Sequence, residues 1–448
     1  MSEYKKAGAR RSKTIELQLF NHVYVDRGIE KPQDIKYMKV LRYSLRVITA
    51  WPEKELEGRQ SKYHIYKKCY TFFIAAICLP PGILYLKKNY KELTFFKLGH
   101  SYITVFINAV SRIILIFLKK YLDLVSYFVK EIHLFNHKDK SEYAMETHLL
   151  IHKMSHFFTI FSNISMAFGM IMFNATPLIN NIVTGAFSAN RPENYTYESA
   201  IFFDLPFDYE HDFKGYLAVL IFNCYITYVC TSTFCILDLL LSLMIFHIWG
   251  HLRILINNMK HYPRPKLEEG ANRYYAMYSK NELTIVYQLL RENINHHCLI
   301  KDFVEKMSDT FGLTLLIYFG FQQAAGCLLL FVCSQMVNSL VRYVPMTLVL
   351  FQQVIQLSIV FELLGSLGDT LPDMAYNIPW ECMDKSNRQI VYILLKQCQK
   401  SMHVKAVDMV GMGVQTMTML LYYIYFIKLG SVEARETMSS ATSFRCSF

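Results

Sequence analysis

The sequence predicts an all-α, polytopic membrane protein with seven transmembrane helices, a cytosolic N-terminus and an extracellular C-terminus. Of the 448 residues, 53% are hydrophobic and only 19% are charged, and the mean hydropathy is +0.19. Such a chain is too apolar for an ordinary soluble protein. Apolar stretches of about 20 residues also recur, and a helix of that length crosses about 30 Å of hydrocarbon. Finally, Lys and Arg are concentrated in alternate connecting segments.

Seven apolar stretches satisfy the length requirement. The predicted spans are 63–86, 95–117, 154–173, 215–248, 310–337, 344–367 and 406–429. The first span contains "LPPG", which should kink it because proline removes a backbone donor and clashes with the preceding turn. The fourth span is longer than a bilayer requires, so we expect it to tilt or to continue into the cytosol.

These spans divide the chain into membrane and aqueous parts. The predicted parts are a cytosolic N-terminal segment with a helix leading into the membrane (1–62), spans one to four (63–248) with a long extracellular loop (174–214), a cytosolic helical extension (249–309), spans five and six (310–367), a cytosolic anchor helix segment (368–405), the last span (406–429) and an extracellular tail (430–448).

The positions of Lys and Arg predict the orientation. With a cytosolic N-terminus, the cytosolic segments contain 34 of the 47 Lys and Arg residues and the extracellular segments contain 9. The positive-inside rule therefore favours this orientation. The net charge of +11 then faces anionic lipid, and no nucleic-acid partner is predicted. We expect no cleaved signal peptide, since no apolar core follows "MSEYKKAGARRSK".

Glycosylation and cysteine positions are consistent with this topology. The sequon "NYT" places Asn194 in the long extracellular loop, where we expect it to carry a glycan. Nearly all of the 11 cysteines fall in spans or cytosolic segments. A disulfide framework is therefore not expected.

Three histidines raise an enzymatic alternative. His148, His152 and His156 follow one another at four-residue steps, on one face of a helix entering the third span. A membrane-bound, metal-dependent desaturase or hydroxylase would use such a face, with "NHH" at His296 and His297 as a second set. The other interpretation is an interfacial amphipathic helix with histidines at headgroup depth. Because HExxH, GxSxG, paired CxxC and a Gly-rich phosphate loop do not occur, no catalytic residue, metal or cofactor is otherwise predicted.

Aromatic and Met side chains are concentrated in the outer halves of the second, third and fourth spans. They are His100, Tyr102, Phe106, Phe168, Met172, Phe173, Tyr216, Phe222 and Tyr225. Such residues face lipid or core, or line an apolar cavity with a few polar groups, as a small lipophilic ligand requires.

A further amphipathic helix precedes the last span. In "IPWECMDKSNRQIVYILLKQCQKSM", Ser386 and Gln389 have the spacing of a capping box, and apolar residues recur at helical spacing. Its apolar face needs a partner, either the cytosolic extension or another subunit.

Seven spans suggest a G-protein-coupled receptor, but neither a DRY-type nor an NPxxY-type motif is present, and the orientation is inverted relative to that class. The segments to compare instead are "MKVLRYSLRVITAWP", "HIWGHLRIL" and "PWECMDKSNRQIVYILLKQCQ" followed by "VQTMTMLLYYIYFIKL". These segments resemble those of insect odorant receptors. The resemblance covers essentially the whole chain. It is closest to moth and butterfly receptors, including their sex-pheromone receptor group.

The resemblance implies the insect odorant receptor channel fold and a function. Such receptors are tuning subunits of ligand-gated, non-selective cation channels, which form tetramers with a shared co-receptor and need no G protein. It implies multi-pass insertion in the plasma membrane of olfactory neuron dendrites. The ligands would be volatile apolar odorants or pheromone-like fatty-chain alcohols, acetates or aldehydes. The aromatic outer halves would form the pocket.

The last span would line the pore. "YYIYFIKL" is similar to the family pattern SYSYFxxL, from which Lys428 departs. The resemblance implies that Met417, Leu421 and Ile424 line the pore, on one helical stripe with Lys428. Lys428 itself either reaches lipid headgroups or faces the pore mouth.

Overall fold

The computed structural model describes residues 29–58, 62–89, 110, 113–188, 195–265, 277–335, 340–400, 402, 404–406 and 410–411. Its helices are α1 (Lys36–Val47), α2 (Glu53–Glu57), α3 (Lys62–Ile77), α4 (Leu79–Asn89), α5 (Lys119–Tyr127), α6 (Glu142–Val183), α7 (Phe213–Lys260), α8 (Lys280–Gln335), α9 (Leu340–Gly368), α10 (Leu371–Tyr376) and α11 (Lys385–Cys398). A π turn (Phe128–Ile132) and a 3-10 turn (Leu134–Lys140) connect α5 to α6. The prediction of an all-α fold is confirmed.

The first predicted span is two helices with a break between them. α3 ends at Ile77 and α4 starts at Leu79, directly before the two prolines of "LPPG". Pro80 and Pro81 lie in the first turn of α4, where the missing backbone N–H of a proline has no helical partner to lose, so the two prolines favour a new helix start at this point. The expected kink is confirmed.

α6 is longer than the predicted third span. Ser141 caps its start by accepting a hydrogen bond from the backbone N–H of Ala144 at 3.1 Å. The helix then continues through Pro177 to Val183, and Gly185 follows with a φ of +71°. The connecting segment predicted to begin at residue 174 therefore begins after the helix, because a left-handed glycine ends it rather than the proline.

The outer surface of α6 carries a stripe of exposed apolar side chains. Its members include Phe157, Ile160, Phe161, Ile164, Phe168, Ile171, Ile179 and Ile182. Steps of three and four residues place them on one face, and from 157 to 179 this face is about 33 Å long at 1.5 Å per residue. That length matches the hydrocarbon layer of a bilayer.

α7 is the central helix of the described bundle. Every residue from 235 to 248 is buried, so this part of the helix contacts protein on all sides rather than lipid. Its 48 residues continue to Lys260, as expected for a span that runs on beyond the bilayer. Among the described ranges, three stretches are long and apolar enough to cross a membrane: α6, α7 and Phe351–Cys382.

The predicted cytosolic extension is divided between two long helices. Residues 249–260 complete α7, and residues from Lys280 onward begin α8, which is continuous with the fifth predicted span. A helix can pass from water into a bilayer without a break, so the change in hydrophobicity at residue 310 does not mark a boundary.

α11 packs against α8. Its buried face is formed by Val391, Leu394 and Cys398, and Asn387 donates a hydrogen bond to the backbone carbonyl of Leu283 in α8 at 3.4 Å. This face therefore contacts the segment that the sequence analysis predicted as a cytosolic extension. The N-cap is Asp384, which accepts from the N–H of Asn387, so the capping box predicted at Ser386 is wrong.

The described chain ends in two very short strands. β1 (Lys405–Ala406) pairs antiparallel with β2 (Val410–Gly411). Ala406, which the sequence analysis gave as the first residue of the helical last span, therefore lies in a strand. The pore residues Met417, Leu421, Ile424 and Lys428 lie outside the described residues.

Candidate ligand site and histidine core

The outer loop, residues 195–212 between α6 and α7, is attached to the helices by one buried asparagine. The side-chain amide of Asn181 donates to the carbonyl of Glu198 at 2.9 Å and to the hydroxyl of Tyr216 at 3.0 Å. Its oxygen accepts from the N–H of Glu198 and from the hydroxyl of Tyr195. Asn181 is fully buried, and its four hydrogen bonds hold the loop on α6 and α7.

A tyrosine and a second asparagine hold the loop's other half. The hydroxyl of Tyr209 donates to the carbonyl of Phe203 at 2.9 Å and accepts from its N–H at 3.1 Å. In α7, the amide of Asn223 donates to the carbonyl of Ile201 at 3.1 Å. These bonds fix the backbone of Ile201 and Phe203 above α7.

α4 contacts the same part of the loop. The N–H of Asp204 donates to the carbonyl of Pro81 at 3.2 Å, and Lys88 approaches the Asp204 carboxylate at 3.1 Å. The rings of Tyr85 and Phe202 stack with centroids 5.7 Å apart. The loop therefore bridges α4 and α7.

Beneath the loop is an apolar group that we call the outer aromatic cluster. Its buried members are Cys78, Ile201, Phe203, Ile226 and Cys230, and Ile74, Phe173, Leu205, Phe222 and Phe234 pack against them. The rings of Phe203 and Phe222 meet edge to face, with centroids 5.8 Å apart. The cluster joins the loop to three helices, α3, α6 and α7, so a change in its packing affects all of them.

The structure separates the residues predicted for the ligand pocket. Phe173 and Phe222 belong to the outer aromatic cluster. Tyr216 instead stacks on Tyr197 at 4.8 Å in a neighbouring cluster that anchors the loop. Phe168 and Tyr225 are 49% and 39% exposed.

None of the remaining predicted ligand-site residues is a described member of either cluster. Met172 is partly buried and is not a member of either cluster. His100, Tyr102 and Phe106 lie outside the described residues, as does Asn194.

The sequence analysis missed the loop's contribution. Ile201, Phe203 and Leu205 alternate along "IFFDLPF", an apolar run in a connecting segment that is otherwise polar. An aromatic run in a loop indicates burial against something, and this signal was available in the sequence. Cys78 and Cys230 carried no comparable signal, because cysteine is common in any buried helix.

Two buried polar atoms lie beside the outer aromatic cluster on α7. The side-chain oxygen of Asn223 and the hydroxyl of Thr227 have no hydrogen-bond partner among the described residues. Asn223 is 1% exposed and Thr227 is 7% exposed. A buried polar group without a partner is uncommon and costs about 1–3 kcal/mol. Both groups are one helical turn apart, on the face that also carries Ile226 and Cys230.

At the opposite end of the bundle, three side chains form a hydrogen-bonded unit. Nδ1 of His133 accepts from the N–H of Phe135 at 3.2 Å, and Nδ1 of His247 accepts from the N–H of Leu134 at 3.1 Å. In each neutral ring the proton is therefore on Nε2. Both Nε2 atoms lie against the hydroxyl oxygen of Tyr37, at 2.8 and 3.1 Å, and donate to it.

His148 and His152 pack beside this unit and complete what we call the histidine core. Both are buried, at 0% and 3% exposure. The ring of His152 meets Tyr37 edge to face at 5.4 Å, and His148 meets Phe135 at 5.9 Å. The interfacial interpretation of these two histidines is wrong, because they contact protein rather than headgroups. Within the described ranges no group of three His, Cys, Asp or Glu residues has metal-site geometry.

Burial keeps the histidines on this side neutral. Burial, followed by His148 and His152, lowers the pKa of His133 well below its usual value. Burial, followed by His296, does the same to the pKa of His251. Burial lowers the pKa of His296 to about 3 and that of His297 to about 4.

We expect acid to destabilise the protein. A histidine whose folded pKa is depressed contributes stability that is complete above its unfolded pKa of about 6.5 and is lost as the pH falls below it. Below that value, the free energy of unfolding falls by about 1.4 kcal/mol per histidine for each pH unit. Thermal unfolding between about pH 7.5 and 5.5 should therefore show a falling melting temperature. A melting temperature independent of pH would contradict this account.

Comparisons with known proteins identify a family from the sequence and a similar fold from solved structures. The family described as 7tm Odorant receptor matches residues 94–425. The fold matches that of the insect olfactory receptor OR5 from Machilis hrabei with a TM-score of 0.70 and 14% identity, covering 88% of this chain and 97% of that chain. The same receptor in complex with eugenol matches with a TM-score of 0.70 and 13% identity, covering 89% and 97%. No curated protein matches the sequence. The chain therefore belongs to the 7tm odorant receptor family and is not an enzyme.

Proposed function

We propose that this chain is the odorant-binding tuning subunit of a heteromeric, ligand-gated, non-selective cation channel in insect olfaction. The observation that carries the proposal is the family match over residues 94–425. The exposed apolar stripe on α6 and the bias of Lys and Arg support a seven-span topology with the N-terminus inside. Its location would be the plasma membrane of olfactory neuron dendrites. Its motifs favour the moth and butterfly group.

The outer aromatic cluster is the ligand site of this proposal. It is apolar, it joins a loop to three helices, and it contains two predicted pocket residues, Phe173 and Phe222. A ligand inserted here would gain about 25 cal/mol for each Å² of apolar surface that it buries. The side chains of Asn223 and Thr227 are the available hydrogen-bonding groups, and a ligand head group would satisfy them. This combination suits volatile apolar odorants and fatty-chain alcohols, acetates or aldehydes.

A co-receptor subunit is the proposed partner, and α11 offers a surface for it. While one face of α11 packs on α8, the opposite face exposes Tyr392 at 67% and Ile393 at 57%. Exposed large apolar residues on an amphipathic helix are typical of a subunit contact. The last span, with Met417, Leu421, Ile424 and Lys428, remains the predicted pore wall.

The function is tested by voltage clamp of cells that express this chain together with an odorant co-receptor. A panel of odorants spanning alcohols, acetates, aldehydes and phenols is applied to the pair and to each subunit alone. We expect an inward current from the pair with at least one ligand class, and little or none from this chain alone. Silence of the pair across the panel, with both subunits detected at the surface, would refute the proposal.

Phe222→Ala should reduce the sensitivity of the pair to its odorant. The substitution removes a partly buried ring that packs against Phe203. Losing roughly 1.5–3 kcal/mol of apolar contact should raise the half-maximal concentration by about 10- to 100-fold. The matched control is Phe168→Ala, because Phe168 is 49% exposed on the apolar stripe of α6. Equal shifts in the two variants would show that the cluster does not hold the ligand.

A further inference from the structure

A cavity of about 800 Å³ lies at the end of the bundle that is predicted to face the cytosol. Its wall is formed by the 3-10 turn before α6, the first turn of α6, the end of α7 and the early part of α8. We call it the cytosolic cavity. The outer aromatic cluster contributes no residue to its lining, so the two sites are separate.

The lining of the cytosolic cavity is rich in hydrogen-bond donors. Besides the ammonium group of Lys140, four histidines and four asparagines line it, whereas Glu292 supplies the one carboxylate among the described lining residues. Lysine has donors only, and amides and imidazoles can each present an N–H. A ligand that fits this wall should therefore offer acceptors to these donors.

The hydrogen bonds fix which nitrogens remain available. Nε2 of His251 lies 2.7 Å from the carbonyl of Ile132 and must donate to it. Its Nδ1 therefore accepts from Nε2 of His296, at 2.9 Å. Nε2 of His137 donates in the same way to the carbonyl of Glu131 at 2.6 Å. The Nδ1 atoms of His137 and His296 are left as bases that become donors once protonated.

Lys140 is the one cation among the described residues that line the cavity. Lys140 lies directly before Ser141, the N-cap of a 42-residue helix whose N-terminal dipole adds a partial positive charge. Burial, then His137 and Lys140, lower the pKa of His296 to about 3. An anion placed among these groups would favour protonation of both imidazoles and would convert mutual repulsion into charge-assisted hydrogen bonds.

The volume and the lining residues of the cavity indicate which type of anion fits it. A volume of about 800 Å³ is in the range of cofactor-sized ligands and far exceeds that of an inorganic ion. Ile254, Leu289 and Leu299 give one side of the wall an apolar surface. We propose that the cytosolic cavity binds an organic phosphate of nucleotide or inositol phosphate size, with its phosphate held by Lys140, His137 and His296.

The phosphate can come from a soluble molecule or from a lipid headgroup, and the experiment distinguishes them. The full chain, purified with its partner subunit in lipid nanodiscs, is titrated with ATP and with an inositol trisphosphate. Parallel nanodiscs contain or lack a phosphatidylinositol bisphosphate. The readouts are the equilibrium dissociation constant and the shift in melting temperature. Neither depends on odorant gating, so failure here would leave the proposed function untouched.

We expect saturable binding in at least one arm. Lys140→Gln and His296→Gln should each weaken it by about tenfold, because each removes a charge-assisted hydrogen bond. Glutamine at 296 can still donate to His251, so this variant should fold. Glu292→Gln should strengthen binding, since it removes the opposing carboxylate.

The matched control is Lys138→Gln. Lys138 belongs to the same 3-10 turn, but its ammonium lies over the ring of Phe135 at 3.8 Å and does not line the cavity. The dissociation constant of the organic phosphate from Lys138→Gln should equal that from the wild type. Absence of saturable binding in all arms, or equal binding by the wild type, Lys140→Gln and His296→Gln, would overturn the proposal.

Discussion

Tyr37→Phe should abolish most of the folded protein, although it removes a single oxygen atom. His133 and His247 both donate through Nε2 to that oxygen, at 2.8 and 3.1 Å. Neither ring can adopt the tautomer with its proton on Nδ1, because both Nδ1 atoms already accept hydrogen bonds from backbone N–H groups. The variant would leave two buried donors without an acceptor, at about 1–3 kcal/mol each. That loss is a large fraction of the roughly 5–15 kcal/mol by which domains are stable.

The measurement is the yield of correctly folded protein and its melting temperature, compared with Tyr43→Phe. Tyr43 lies in the same helix, α1, but is 73% exposed, so its hydroxyl can bond to solvent. We expect wild-type behaviour from Tyr43→Phe and a marked loss from Tyr37→Phe. If both variants matched the wild type, the hydrogen bonding assigned to the histidine core would be wrong.

Gly215→Ala should reduce the sensitivity of the receptor to its odorant while leaving its helices intact. A Cβ atom at Gly215 would lie 2.3 Å from the carbonyl oxygen of Asp208 and 3.0 Å from Cα of Tyr209. These are backbone atoms, which cannot rotate away, so the outer loop itself must move. Displacing Tyr209 would break its two bonds to Phe203 and disturb the contact of Phe203 with Phe222. The half-maximal odorant concentration should rise by more than about tenfold.

The control for this variant is Gly320→Ala in α8, where an added Cβ would meet no atom within 4 Å. Surface expression and odorant response should both be preserved there. Alanine is the better helix former at both positions, so helix propensity cannot explain a difference between the two. An unchanged concentration–response curve for Gly215→Ala would show that the loop's position does not matter for ligand detection.

The helices could be predicted because each one depends on residues that are close together in the sequence. Apolar runs of sufficient length predicted α6, α7 and α9, and the prolines of "LPPG" predicted the break after Ile77. Helix ends were predicted less well. α6 passes Pro177 and ends before Gly185 because backbone conformation, and not hydrophobicity, sets that boundary.

The sites depend on contacts between distant segments, and one-dimensional patterns do not contain them. Phe222 and Phe203 lie on a helix and on a loop whose approach is fixed by Asn181 and Tyr209. Likewise, the four-residue spacing of His148 and His152 shows a shared helix face. It cannot show that Tyr37, more than 100 residues away, lies opposite that face.

The central claim is that one complex both binds the odorant and conducts ions, without a G protein. The most direct test is a single-channel recording of the purified pair of subunits in a planar lipid bilayer, in solutions that contain no guanine nucleotide. We predict that an odorant active in cells opens channels within the recording, and that the current reverses near zero when one side of the bilayer contains Na⁺ and the other contains K⁺ at the same concentration. Openings that require GTP and a G protein, or a ligand-bound complex that never conducts, would contradict the account.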